Sequence, residues 1–173
     1  KHWKNGIHQI SGAIEIDGEI KEHFDFKTCP NPACLIEDDA LAIAGITRAD
    51  LESYLPMELT YKALCGMLGK YVDKFKKTDK LFLIDYNNAP FDNAFLRAFF
   101  VQNNDQYFGS WFWSSTIDVM VLAGQKLMAD RHLMVDFKQS TVAKYLGIEV
   151  DESKLHDAEY DVSLLRQIYQ LVK

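Results

Sequence analysis

Two runs of alternating apolar and polar residues stand near the start of the chain. Ile10, Ile14 and Ile16 mark the first, with Gly12 and Ala13 between them, and Ile20, Phe24 and Phe26 mark the second. Asp17-Gly18 separates the runs, and an Asp-Gly pair between two strand-like segments predicts a β-hairpin. Leu35 to Leu51 reads as short helical turns around Gly45-Ile46-Thr47. From Met57 to Phe75, apolar residues fall at Leu59, Ala63, Leu64, Met67, Leu68, Tyr71, Val72 and Phe75, a spacing that predicts one amphipathic helix. Lys80 to Asp85 is a short continuous apolar run and reads as a buried strand. Pro90 stands near a helix start, and the helix runs to about Gln102 with Phe91, Phe95, Leu96 and Phe99 inward. Trp111 to Thr116 predicts another strand, Asp118 to Met128 a helix, and Val142 to Leu146 a shorter one ended by Gly147. A last helix begins near Asp157 with Leu164, Leu165, Ile168 and Leu171 inward. Strands first, then strands alternating with helices, predict an α/β domain with a mixed sheet.

There is no internal repeat, low-complexity tract or linker, so residues 1–173 read as one domain. The eleven Phe, eight Tyr and three Trp promise a well-filled core. A net charge of −6 argues against a module that grips duplexes through a wide basic surface, although bound metal ions can supply positive charge locally. The three cysteines, Cys29, Cys34 and Cys65, fit no zinc spacing and suggest reduced thiols in a cytoplasmic compartment. No apolar run approaches the ~20 residues of a membrane helix, and no signal peptide is visible, so no membrane association is expected.

Two clusters carry candidate chemistry. The first, Asn87-Asn88-Ala89-Pro90-Phe91-Asp92-Asn93-Ala94-Phe95-Leu96, follows a predicted strand and opens a helix. Asp92 is then expected at the C-terminal end of the sheet, where open α/β sheets bind ligands. Its bland reading is an acid favoured at a helix start by the helix dipole. The second is His156-Asp157-Ala158-Glu159-Tyr160-Asp161. A neutral imidazole accepts a proton near physiological pH, and a carboxylate is a hard ligand for Mg²⁺ or Mn²⁺. Its bland reading is a helix N-terminus capped by Asp157 with Asp161 in solvent.

Together the clusters resemble the DEDDh 3′→5′ exonucleases, which include proofreading subunits of bacterial DNA polymerases, RNase T and oligoribonuclease. The family's second motif, His/Asn-Asn-x-x-Phe-Asp-x-x-Phe-Leu, is matched by residues 87–96. Its third, His-x-Ala-x-x-Asp, is matched by His156 to Asp161. Ile7 to Ile14, Ala44-Gly45-Ile46-Thr47 and Thr116-Ile117-Asp118-Val119 resemble further family segments, so the likeness spans nearly the whole chain. The resemblance implies a ribonuclease H-like three-layer fold, a mixed sheet flanked by helices. It makes Asp92 and Asp161 metal ligands for two Mg²⁺ or Mn²⁺ ions, and His156 the general base. It places Asn88, Phe91, Gly45, Ile46 and Thr47 beside the 3′-terminal nucleotide. The tyrosine of the sister DEDDy group stands four residues before the last Asp; Asp157 occupies that position here, and Tyr160 reads as a packing residue.

The family's first motif, Asp-x-Glu on the central strand, is absent. It is expected just upstream of Lys1, so the domain reads as N-terminally incomplete, its central first strand not in the chain. Glu15 and Asp17, reversed in order, read instead as a solvated turn. Without the central strand the hairpin and the Lys80 strand are expected to have unpaired inner edges.

Other features have bland first readings. The aromatic run Tyr107 to Trp113 could stack bases but reads first as core packing. Lys74, Lys76 and Lys77 could touch a phosphate but read first as a solvated helix end, and Asp118 could join the site but reads first as a helix cap. The expectation is a metal-dependent exonuclease acting on single-stranded DNA or RNA 3′ ends, with a DNA polymerase as one partner and a homodimer as one assembly. The rival is a catalytically silent relative that binds nucleic acid or a polymerase.

Overall fold

The computed structural model describes residues 6–87 and 92–173. The hairpin forms as its alternation requires. Strand β1 (Gln9–Ile16) pairs antiparallel with β2 (Glu19–Cys29), in register from Gln9 opposite Lys27 to Ile16 opposite Glu19, with a bulge between Ile14 and Glu15. Asp17 and Gly18 both take positive φ, 53° and 83°, the geometry an Asp-Gly hairpin turn needs. Gly12 faces the ring of Phe24, and a β-carbon there would meet that ring at 2.4 Å. The hairpin therefore tolerates no side chain at Gly12 unless Phe24 moves.

Helices α1 (Asp38–Ile43) and α2 (Arg48–Ser53) flank the Gly45-Ile46-Thr47 turn. Gly45 has φ +68°, and Thr47 caps α2 through a reciprocal bond pair with Asp50. A short β3 (Leu55–Pro56) joins β2 in parallel and leads into α3 (Met57–Leu68). That helix ends earlier than its periodicity predicts. Gly69 closes it, and the following loop is held by the Asp79 carboxylate on the Asp73 amide and the Asp73 carboxylate on the Phe75 amide, both at 3.0 Å. Val72 is still buried, but Phe75 is 87% exposed and Leu59 is also outside the core.

The second sheet is small. β4 (Ile84–Asp85) and β5 (Ile117–Asp118) run parallel, and an isolated bridge joins Leu81 to Phe112 upstream. Only the last residues of the predicted Lys80 strand thus form a ladder. Of the predicted Trp111 to Thr116 strand only the bridge at Phe112 forms, with a helical turn at Phe108–Ser110 before it and the ladder residues Ile117–Asp118 after it. α4 (Asp92–Gln102) follows β4, and α5 (Val119–Lys126) follows β5 with Asp118 as its cap. α6 (Gln139–Tyr145) ends before Gly147, at φ +81°, and α7 (Ala158–Val172) is capped by Asp157. Pro90 and Phe91, expected at the start of α4, lie outside the described residues.

The sheets have strand orders β1-β2-β3 and β4-β5 and share no strand pair among the described residues. β1 and β4 each keep one edge without a strand partner there. Two cores form. The first joins the hairpin, α3, α4 and the Phe108 to Phe112 segment. The second joins α5, α6 and α7. In α7 the inward residues are Leu164, Leu165, Ile168 and Val172, whereas Leu171 is 46% exposed. The four-residue step from Ile168 reaches Val172, so the helical period turns Leu171 outward.

Candidate active site

Asp85 and Asp118 are register partners at the C-terminal end of the small parallel sheet. Asp92, in the first turn of α4, brings its carboxyl group to Asp85, and the two share a hydrogen bond. Loss of water around this pair pushes both pKa values up, and the neighbouring charges of Asp92 and then Asp118 raise Asp85 further. As a residue Asp92 keeps solvent contact; it is the carboxyl facing Asp85 that is dried. Two carboxyls held so close favour a shared proton, or a cation in its place.

Asp118 is a helix cap, as its sequence position suggests, and has a second task. Its Oδ1 accepts the Met120 amide at 3.0 Å and the Asn87 amide at 2.9 Å. One carboxylate therefore fixes both the start of α5 and the chain leaving β4.

The other half of the candidate site is built on α7. Asp157 accepts the Tyr160 amide at 2.9 Å and caps the helix. His156 stands before it in a left-handed conformation, φ +73°, with an exposed side chain. Its backbone amide hydrogen-bonds the half-buried Asp161 carboxylate. Burial raises the Asp161 pKa; the His156 charge and amide pull it back. Gln139 Nε2 donates to the Asp161 carbonyl at 2.7 Å and ties α6 to this turn. Tyr160 accepts the Asp151 amide at 2.7 Å, the structural role its position suggests.

His156 and Asp157 line a cleft of about 230 Å³ with Gly45, Ile46, Tyr54, His8 and Lys27. The Gly45-Ile46 turn and the third motif thus meet, although they are far apart in sequence. Thr47 is not part of this lining; its hydroxyl is bonded in the α2 cap. Asn88 and Phe91 lie outside the described residues.

The two halves are not fused into one cage. Asp161 feels the charges of His156 and Asp157, and Asp85 those of Asp92 and Asp118. Among the described residues, no group of three or more His, Cys, Asp or Glu side chains is placed to hold a metal ion. α5 bridges the halves, packing on both α7 and β4. Sequence reasoning passed over Asp85, and also His8, Lys27 and Tyr54. The signal for Asp85 was an acid closing the apolar Lys80 run directly ahead of the first cluster; that run is not the buried strand expected, since Phe82 and Ile84 are exposed.

Residues 4–169 match the exonuclease family of the RNase T type, and the chain belongs to that family. The DNA polymerase III PolC-type of Mycoplasmopsis pulmonis (strain UAB CTIP) is 24% identical over 169 residues, which are 96% of this chain and 10% of that protein. Escherichia coli exonuclease I in complex with a dT13 oligonucleotide superposes with a TM-score of 0.76 at 19% identity, covering 100% of this chain and 38% of that one. A zinc-bound form of the E. coli exonuclease I–single-stranded DNA complex gives a TM-score of 0.63 at 22% identity, covering 88% and 32%. The fold is thus the ribonuclease H-like fold of these nucleases, with the mixed sheet and flanking helices expected. The chain spans about a third of their length and a tenth of the polymerase. No helix among the described residues is long and apolar enough to cross a membrane.

Proposed function

We propose that this domain is a 3′→5′ exonuclease, which hydrolyses phosphodiester bonds at single-stranded DNA or RNA ends and releases nucleoside 5′-monophosphates. The observation that carries this reading is the cleft in which His156 and Asp157 of the third motif meet the Gly45-Ile46 turn. The acid pair supports metal dependence, since two carboxyls that favour a shared proton also suit a hard divalent cation. Asp92 and Asp161 would hold the Mg²⁺ or Mn²⁺ ions, which supply positive charge for the phosphoryl oxygens and a more acidic water. The His156 imidazole takes the proton of the attacking water. Gly45 and Ile46 seat the terminal nucleotide, and Lys27, on the same cleft, faces its phosphate. Asn88, Phe91 and Thr47 are proposed to complete the substrate contacts.

Hydrolysis of a 3′-labelled oligonucleotide with Mg²⁺ or Mn²⁺ tests the assignment. Asp161→Ala and His156→Ala should each reduce the rate on the order of 10²- to 10⁴-fold. Unchanged rates in both would overturn it. The second reading, a silent domain that binds nucleic acid or a polymerase, is favoured by the lack of a three-ligand cluster among the described residues. It predicts oligonucleotide binding without cleavage. A cytoplasmic setting, a polymerase partner and a homodimer belong to the proposal as well, and the oligomeric state is read by sedimentation of the intact protein.

A further inference from the structure

Two features that each have a bland reading in sequence form one surface in the fold. The segment from Lys70 to Lys80 holds five lysines against two aspartates, a local excess of +3 in a chain of net charge −6. Lys70 is committed to Glu22 at 2.8 Å. Lys74, Lys76, Lys77 and Lys80 form no salt bridge among the described residues. The Lys74 ammonium lies 5.4 Å from the ring centres of both Phe75 and Trp111, and that of Lys80 lies 5.4 Å from Trp113. Phe82 packs against Trp113 with ring centres 6.1 Å apart. Trp111 is buried and anchors the patch, whereas Phe75 and Phe82 are 87% and 51% exposed. The aspartate-held loop after α3 keeps the Phe75 ring outside, at a cost that burying it would avoid. An open depression lined by Lys70, Tyr71, Lys74, Phe75 and Trp111 lies beside it.

We infer that this basic and aromatic surface binds single-stranded nucleic acid at a distance from the reacting end. Exposed rings offer stacking faces to any base, and ammonium groups that no carboxylate neutralises can meet the phosphates between them, although Lys80 also donates to the Gly109 carbonyl. The charge is complementary to a polyanion on a protein whose total charge repels one, so the attraction is local. Lys80 and Asp85 lie on one extended segment five residues apart, which separates the patch from the carboxylates by about 16 Å at the usual strand rise. A bound strand therefore needs several nucleotides to occupy both places. The inference rests on the proposed nuclease reading for the choice of polyanion, but its test does not.

Binding is measured by fluorescence anisotropy in metal-free buffer with the intact protein, using a dinucleotide and a labelled oligothymidylate longer than a ~16-nucleotide site. Phe75→Ala should weaken the long strand about tenfold, the scale of one lost base stack. Lys74→Gln combined with Lys76→Gln and Lys77→Gln should reduce the slope of log affinity against log salt by about 0.7 per lysine that touches phosphate. Dinucleotide hydrolysis and the melting temperature should be unchanged in both variants. Wild-type affinity and salt slope in both would refute the inference. So would an acidic peptide that displaces the long strand at lower concentration than unlabelled oligothymidylate does, since the surface would then belong to a protein partner. If the wild-type chain cleaves nothing yet binds the long strand through these residues, the nuclease assignment falls and this one stands.

Discussion

The two cores solve the packing problem with different materials. Around α3 and α4 the interior is filled by large rings: Phe100 meets Tyr61 and Phe108 edge-on at 5.3 and 5.2 Å, and Phe108 lies 4.8 Å from Phe112. Around α5, α6 and α7 it is built from small and branched side chains, with Val119, Ala123, Val142, Ala143 and Ile168 wholly excluded from water. Rings cover wide areas and bridge the irregular space between a hairpin and two helices. Small residues let helix backbones approach closely, which leaves no room for added atoms. Each core carries one half of the candidate site. Asp92 opens α4, whose Phe99 and Phe100 lie in the aromatic core, and His156 and Asp161 stand at the start of α7, whose Leu164, Leu165 and Ile168 lie in the aliphatic one. Their alignment therefore depends on two kinds of packing at once.

Truncating the aromatic core should have the largest effect on stability. Phe100→Ala removes the ring at the centre of two edge-on contacts and should cost about 3–5 kcal/mol. For a chain of this size that lowers the melting temperature by roughly 6–15 °C. A shift within 2 °C of wild type by calorimetry would show that the rings are not holding that core. In the aliphatic core the sensitive direction is the opposite one. Ala143→Leu should destabilise by about 1–3 kcal/mol through overpacking. The same change should disturb the Gln139 bond to the Asp161 turn, since both residues lie on α6. Its hydrolysis rate should then fall more than that of a Phe100 variant assayed at an equal margin below melting. Equal losses would mean that the site does not distinguish its two supports.

The smallest expected effect concerns the acid pair. The folded-state pKa of Asp85 lies above its unfolded value, so folding takes up a proton between the two. The stability this group contributes is complete below the unfolded pKa, near 3.9, and is lost as pH rises through the folded value. Asp85→Asn removes that loss. The variant should gain roughly 2–4 °C in melting temperature at alkaline pH in metal-free buffer, with a flatter pH profile. Mg²⁺ or Mn²⁺ should stabilise wild type more than this variant. A profile parallel to wild type would show that the pair is not strained.

Much of this architecture was legible because its signals are local. The Asp17-Gly18 turn, the Asp157 cap and the Gly147 stop are each set by a few adjacent residues, and each stands where the chain placed it. The failures lie where long-range packing decides. The α3 periodicity runs through Phe75, yet Gly69 and two aspartate-held amides end the helix first. The Lys80 run is apolar enough for a long strand but pairs only at Leu81 and its last two residues, because a ladder needs a neighbour that sequence cannot supply. At the site, the family resemblance singled out Asp92, His156 and Asp161 as candidates. The structure joins His156 to the Gly45-Ile46 turn and Asp92 to Asp85, but it shows no bond between Asp92 and Asp161. Asp85 was hidden because an acid ending an apolar run looks like a solvent-facing terminus until a second carboxyl is seen against it.

The double grip of Asp118 has a mechanical meaning. Since the same oxygen holds the Asn87 and Met120 amides, the chain that leaves β4 and the first turn of α5 cannot be displaced independently without leaving one donor unserved. A nudge on either is handed to the other, so a ligand that shifts Asn87 also tugs on the helix that rests against α7. The candidate halves are thereby geared together through a single oxygen.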